Sequence, residues 1–396
     1  MAQSAPTALY GEERSFYVPH FELSLDGKPA PPAVRFDILS VSYHDSILDV
    51  DSCELQVNNW DAKKGRVKYG PPAKEKGTFH PGTKLELKLG YLGKEDELRT
   101  MTRAVVTSVD ASFSESAAHT LSVRALNELH SLRETPHTYS WTNKTDSEIA
   151  EELGKHPRSK DRPGLGIEVR ATGSGEQTHE FVFMNNQQDI LFLLERARLH
   201  DYEVVLHEAE NGGKKHLTFG PSDSASRTYR LEWGKSLISF RPTVDTSKQV
   251  GEVVVHGWDR HRNEAIKGQA KWRDLVTDSG ETQRIGLLEP AFGKRTESVS
   301  REPVRNKAIA DARARDILSR RLKEMVQASG STVGLPDLRA GRTVEIVGLD
   351  QRTKRDEPSQ GGNLFEGTYY VTETTHTIGA NGYRTDFKAR REGPAR

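Results

Sequence analysis

The chain has 396 residues, 57 Lys+Arg balanced by 57 Asp+Glu, and a mean hydropathy of −0.69. Zero formal charge with no long Lys/Arg block argues against a dedicated nucleic-acid binder. The 34% of hydrophobic residues recur in short runs, which describes two to four domains with modest cores and polar surfaces rather than a disordered chain.

Residues 17–129 read as strands. Phe21, Leu23 and Leu25 alternate onto one face, and Asp26-Gly27 is a hairpin turn signal, because both positions must tolerate positive φ. Leu85, Leu87 and Leu89 alternate in the same way. Residues 103–109 and 121–125 give two more strands, and short strands with turns between them point to a barrel or sandwich. The lone Cys53 falls in an apparent strand, rules out an intrachain disulfide and reads as a small buried hydrophobe.

The middle of the chain changes character. Thr145-Asp-Ser-Glu148 is a capping box that opens a short helix ending near Gly154. Residues 157–175 are rich in Pro, Gly and charge and are expected to be a loop. A short strand, Phe181–Phe183, follows, with Asn186 and Asp189 available to cap a helix whose Ile190, Leu193, Leu194 and Ala197 share a face. Residues 202–206 and 216–219 are expected strands around the turn Asn211-Gly-Gly. Strands return from Leu237. Residues 260–301 are charged and poorly periodic, and an extended excursion is expected there. Pro303 is placed to open a long helix with an apolar stripe of Ala310, Ala314, Ile317, Leu318, Leu322 and Met325, and Gly330 to end it. The last expected strands are 343–347, 368–377 and 384–389, with Asn381-Gly382 as a hairpin turn.

The two β-rich regions share patterns in the same order. Glu54-Leu-Gln-Val-Asn-Asn-Trp-Asp61 matches Glu252-Val-Val-Val-His-Gly-Trp-Asp259, Gly82–Leu87 parallels Gly341–Ile346, and Val106-Thr107 parallels Val371-Thr372. Each of the last pair opens a hairpin that ends in Arg/Lys-Ala. These matches predict an internal duplication, with Trp60 and Trp258 on equivalent strands. The expected fold is mainly β with an α+β insertion and two tube-like β-barrels. Its expected divisions are 1–135 (first barrel), 136–230 (inserted α+β unit), 231–262 (second barrel, first part), 263–329 (insertion and long helix) and 330–396 (remainder of the second barrel).

No motif assigns chemistry. Gly173-Ser-Gly175 lacks the full nucleophile elbow, and Gly164-Leu-Gly166 lacks the third glycine and the context of a dinucleotide site. His256 and His261 flank Trp258, and His200, His207 and His216 cluster in the middle unit, but their spacings match no ligand pattern. Glu54 and Glu252 sit at matching repeat positions, which implies shared architecture rather than acid/base work. Asn143-Lys-Thr145 is a glycosylation sequon only in form. No catalytic, cofactor-binding or metal-ligating residue is expected.

Gln188–Ala197, Tyr202–Leu206, Leu217–Phe219, Leu237–Phe240 and Gln249–Asp259 run in an order that resembles the signature region of the phage late control D family. Gly334-Leu-Pro-Asp-Leu-Arg-Ala-Gly341 and the hairpin from Tyr370 to Ala389 also fit. The resemblance is to the tail hub proteins of that family, relatives of the hub region of VgrG-type spike proteins and of contractile injection systems. It implies a non-enzymatic baseplate hub: a homotrimer joining a sixfold inner tube to a threefold spike protein and contacting other baseplate subunits. It implies no cofactor and no specific nucleic acid. VgrG-type relatives continue into a neck and spike, so a separate spike polypeptide is expected here. Met1–Phe16 has no apolar core of a signal peptide and Ile190–Leu194 is too short to span a bilayer. The expectation is a protein without a membrane anchor, made in the cytoplasm and carried in a virion tail or injection particle. The alternatives are a tail-associated cell-wall hydrolase or a β-rich binding module.

Overall fold

The computed structural model describes residues 7–8, 18–47, 50–69, 77–92, 98–114, 118–127, 130, 133, 135–156, 164–173, 175–208, 214–222, 228–259, 262–276, 279–300, 304–349 and 364–391. The first part of the chain holds β1 (Thr7–Ala8), β2 (Pro19–Leu25), β3 (Lys28–Pro29), α1 (Pro32–Asp37), β4 (Ile38–Ser46), β5 (Ser52–Asn58), β6 (Trp60–Asp61), β7 (Arg66–Val67), β8 (Lys84–Tyr91), β9 (Arg99–Ser112) and β10 (Thr120–Asn127). The middle holds β11 (Pro136–Lys144), α2 (Asp146–Lys155), β12 (Glu168–Ala171), β13 (His179–Gln188), α3 (Asp189–Leu199), β14 (Tyr202–His207) and β15 (His216–Pro221). Then come β16 (Thr228–Glu232), β17 (Leu237–Val244), β18 (Glu252–Asp259), β19 (Glu264–Lys271), α4 (Trp272–Leu275), α5 (Ser279–Phe292), β20 (Thr296–Val299), α6 (Lys307–Lys323), β21 (Val326–Val333), β22 (Thr343–Val347), β23 (Gly367–Gly379) and β24 (Gly382–Arg391).

The protein is mainly β, as expected. Its centre is a 14-stranded sheet, and no closed barrel occurs among the described residues. Within that sheet the strands of the first half run β2-β8-β9-β10-β5-β4, and those of the second run β16-β22-β23-β24-β21-β17. Taken in chain order, the two sets of six occupy the same places. The detail agrees as well. Gly82 (φ 95°) donates to Val106 O at 2.8 Å, and Val106 N donates to Thr83 O at 2.9 Å. Gly341 (φ 81°) donates to Val371 O at 2.9 Å, and Val371 N donates to Arg342 O at 2.8 Å. Both glycines hold a left-handed conformation that a side chain would strain. Thr107 bulges out of the β9–β10 ladder and Thr372 out of β23–β24, and each hydroxyl donates to a carbonyl across the hairpin, Arg124 O and Lys388 O. Leu39 and Ile238 are the matching bulges of β4 and β17, and both are about half exposed. The first strands differ, since β2 is antiparallel to β8 whereas β16 is parallel to β22.

Local chemistry explains several of these elements. Asp26 (φ 49°) and Gly27 (φ 77°) form the β2–β3 turn, and Leu85, Leu87 and Leu89 are buried on one face of β8. Thr145 and Glu148 close a full capping box on α2. Cys53 is buried, and burial pushes its thiol up to about 12.

Other expectations are corrected. The match of Glu54–Asp61 with Glu252–Asp259 does not survive, because β5 pairs β4 and β10 whereas β18 lies in a separate three-stranded sheet, β19-β18-β20. The strand in the place of β5 is β21. The environments differ too: β5 alternates buried residues with more exposed ones, whereas Val253, Val254 and Val255 of β18 are all buried. So 231–262 is not all one part of the large sheet. The excursion 260–301 is ordered as β19, α4, α5 and β20. In β19 the buried face is Ile266, Gly268 and Ala270 between exposed neighbours, too small a set to register as a periodic stripe. Gly268 lets α6 approach closely, since a Cβ there would lie 2.2 Å from the Ala310 backbone. Helix α6 begins after Asn306, whose side chain caps Ile309 N at 2.8 Å, and ends at Lys323. Pro303 lies outside the described residues. Gly330 is not the helix stop: it sits in β21, where a Cβ would meet the Phe387 ring at 2.4 Å. Part of the expected loop 157–175 is β12. Neither Asn186 nor Asp189 caps α3; Gln188 holds the N-cap position and Asp189 is the first helical residue. The last hairpin turns at Ala380-Asn381, one residue early, with Gly382 (φ 90°) opening β24. The turn Asn211-Gly-Gly lies outside the described residues.

Among the described residues this layout gives three large cores. One lies in the first half, one joins the second half to the β18 sheet and α6, and one fills the middle unit. No described helix is long and apolar enough to cross a membrane.

Candidate functional site

The two halves meet where β4 lies antiparallel along β23, from Ser46 opposite Glu373 to Val41 opposite Ile378. Ile47 N donates to Thr372 O at 3.1 Å and extends this ladder to the bulge. Strand β23 thus shares one edge between two partners: β22 takes residues 367–370 and β4 takes residues 373–378. Ile378 and Tyr383, both from the second half, complete the core of the first.

A buried polar network locks this seam. Arg339 comes from the segment between β21 and β22. Its Nε donates to Asp45 Oδ2 at 2.6 Å, its Nη2 donates to Met101 O at 2.9 Å, and its guanidinium lies 4.7 Å from the Tyr43 ring centre. Asp45 also accepts from the Thr374 hydroxyl and from Ala340 N at 3.3 Å. Next to it, Asp51 accepts from Tyr43 OH at 3.2 Å and Asn127 Nδ2 at 3.1 Å. His376 is fully buried, with Nε2 2.9 Å from Leu338 O and Nδ1 3.0 Å from Tyr383 OH. A carbonyl can only accept, so the neutral tautomer with hydrogen on Nε2 fits. Burial lowers the His376 pKa to about 4, which keeps it neutral at pH 7.

Burial, reinforced by the Asp45 charge and opposed by Arg339, raises the Asp51 carboxyl to about 7. A raised folded pKa means that the folded state holds a proton the unfolded state has released. Between the ordinary value of 3.8 and about 7, stability falls as pH rises. Asp51→Asn removes this titration. The stability of the variant relative to the parent should therefore climb from pH 4 to 7 and level off above. Urea melts at pH 4, 5.5, 7 and 8 measure this, and a pH-independent difference would contradict it.

A second network holds the middle unit. Asp146, fully buried in its side chain, takes both arms of Arg196 (Nε at 2.5 Å, Nη2 at 2.9 Å), His179 Nε2 at 2.9 Å and His200 Nε2 at 2.6 Å. The Asp146, His179 and His200 ligand atoms lie close enough together to hold a metal ion. The Arg196 fork nevertheless takes both carboxylate oxygens, which makes this an ion-pair clamp joining α2, β13 and α3. Burial acts to raise the Asp146 pKa, but the hydrogen bonds from His179, His200 and Arg196 outweigh it and hold the carboxyl well below the usual range.

The sequence-singled residues scatter. His207 and His216 are register partners with rings stacked at 5.0 Å, away from His200, which joins Asp146. His256 is exposed on β18 and His261 lies outside the described residues. Glu54 bonds Ser122 Oγ at 2.9 Å in the large sheet, whereas Glu252 lies in the separate one. Sequence reasoning missed Arg339–Asp45 and Asp146–Arg196. The available signal for the first was an arginine inside Leu335–Ala340, whose Leu335, Leu338 and Ala340 are all buried. A cavity beside the seam, lined by Asp45, Ile47, Asp51, Ile190 and Val204, measures about 40 Å³, room for a water molecule rather than an organic ligand.

Solved structures share this architecture. A 43 kDa tail protein of prophage MuSo2 from Shewanella oneidensis aligns over 94% of this chain and 98% of its own, with TM-score 0.65 and 12% identity. A tail protein from Neisseria meningitidis MC58 aligns over 95% and 97%, with TM-score 0.62 and 12% identity. An E. coli component of the type VI secretion system, itself described as structurally similar to T4 tail proteins gp27 and gp5, aligns over 94% and 79%, with TM-score 0.54 and 13% identity. The fold is therefore that of phage tail hub and VgrG-related proteins. A family model described as the Alg8 N-terminal domain matches residues 17–380, and the chain belongs to that family. That description names a domain and no reaction. No curated protein matches the sequence.

Proposed function

We propose that the chain is a structural hub of a contractile injection machine, kin to the late control D proteins, acting without catalysis. Three copies form a ring that presents six similar sheet halves to an inner tube and threefold symmetry to a spike protein. The observation that carries this reading is the agreement of the two six-stranded halves in strand order, bulges and glycine turns. A module duplicated within one chain supplies six units from three chains, which is the count needed between a sixfold tube and a threefold spike. The tail-protein fold supports the same reading.

In this account the first module spans 19–127 and the middle unit 136–221. The second module joins 228–244 to 326–391 around an insertion, 252–323. The middle unit braces the insertion: Asp201 pairs with Lys323 at 2.8 Å and takes a hydrogen bond from Ser319 Oγ at 2.9 Å. The chain is made in the cytoplasm and carried into a tail or injection particle with the tube and other baseplate subunits. Light scattering of the purified chain, alone and with its spike, tests the proposal. The expected mass is three copies; a monomer that persists in the presence of the spike would overturn it.

A further inference from the structure

The joint inside the chain also specifies the joint between chains. Eight strands run unbroken in the order β17-β21-β24-β23-β4-β5-β10-β9, so β17 and β9 stand at opposite ends of that ribbon. On β9, as on β23, the first part of one edge is taken, here by β8 on residues 99–105. Beyond the Thr107 bulge no described strand lies beside that edge, whereas the matching stretch of β23 beyond Thr372 carries β4. The counterpart of β4 is β17, and its edge away from β21 has no described strand beside it. Each half therefore has one component of the seam left over.

We infer that residues 108–113 of one copy pair antiparallel with residues 240–245 of a second copy, in the register of the chain's own seam. The inference rests on the ring reading above and deepens it. Carrying the seam across places Ser108 opposite Asp245, Asp110 opposite Thr243, Ser112 opposite Arg241 and Phe113 opposite Phe240. Backbone direction agrees. Asp245 N donates to Met325 O, towards β21, so strand alternation turns Val244 and Pro242 outward. Pro242 offers a carbonyl but no N–H, which blunts the edge against indiscriminate pairing while leaving flanking positions able to bond.

Burial points the same way. Phe113 is 65% exposed, whereas its counterpart in the seam, Ile378, is 8% exposed because β4 covers it. Ala111 is exposed where His376 is buried. The exposed Asp110 and Arg241 fall on diagonal positions of the pairing, with opposite charge.

The two joints are chemically distinct. The seam within the chain is polar, built on Asp45, Tyr43, Thr374 and His376. The joint between chains sets Val109, Ala111 and Phe113 against Val244, Pro242 and Phe240. Laying a second copy's β17 on β23 would put Val244 where Asp45 stands and leave the Arg339 guanidinium without its carboxylate. Wrong pairings are thereby penalised. Because the contact is head-to-tail, it closes into a ring when repeated with the right rotation.

Paired cysteines test the register. Asp110→Cys with Thr243→Cys in the full chain, oxidised and run without reductant, should give covalent dimers and trimers. Ser112→Cys with Asp245→Cys, four residues out of register, should stay monomeric on the same gel. Phe113→Asp should shift the three-copy mass to one copy. A three-copy mass that survives Phe113→Asp, together with no in-register cross-link, would overturn this joint and leave the hub reading standing. A cross-link closed within a single chain would also overturn it. A parent chain that stays monomeric with its spike would remove the hub reading itself.

Discussion

Arg339→Leu is expected to lower the free energy of unfolding by about 3–5 kcal/mol, the scale seen when one partner of a buried ion pair is removed. Asp45 is only 6% exposed in its side chain and would be left buried without its cationic partner. The Met101 carbonyl and Tyr43 hydroxyl lose a donor in the same step. Adding Asp45→Asn should recover part of the loss, because the unpaired charge is gone although the hydrogen bonds are not. Hydrogen exchange should report early opening along β4 and β23, where the halves meet. A loss below about 1 kcal/mol, or no recovery in the double variant, would show that the seam is held by apolar packing alone.

Arg196→Leu should cost a similar amount, about 3–5 kcal/mol, but in a different place. Asp146 keeps its two imidazole partners and loses the guanidinium that holds both its oxygens. Exchange should accelerate in α2, β13 and α3 while the large sheet remains protected, since the cores are separate. The parent protein should also show the acid signature of this clamp. A carboxyl held below its ordinary 3.8 stabilises the folded state fully above that pH and loses its contribution as pH falls towards the folded value. The middle unit should therefore begin to weaken only below about pH 4. Uniform exchange across the whole protein in the variant would contradict the separation of the units.

Legibility in the sequence followed the size of the side chains. Strands such as β8, with Leu85, Leu87 and Leu89 on one face, and the Thr145–Glu148 box declared themselves, because local periodicity and capping chemistry decide them. β19 did not, since its buried face is Ile266, Gly268 and Ala270 and its meaning depends on the helix above it. The three sequence matches fared differently. The tryptophan match, resting on a rare residue, linked strands with different neighbours. The two plainer matches, Gly82–Leu87 with Gly341–Ile346 and Val106-Thr107 with Val371-Thr372, linked strands with the same neighbours, because a left-handed glycine and a bulge are backbone demands. The ion pairs were illegible because Asp45 and Arg339 lie 294 positions apart, and Asp146 and Arg196 lie 50 apart. No local pattern encodes such a meeting.

These polar locks and the two sheet edges serve one purpose in this account. The seam joins the two halves of one chain, and in the proposed ring residues 108–113 and 240–245 join one copy to the next. An averaged electron-microscopy image of the purified ring bound to its spike, viewed down the axis, tests this most directly. The account predicts six similar lobes from three chains, with threefold symmetry on close comparison. Six lobes from six chains, or three lobes with the halves of each chain stacked along the axis, would contradict it.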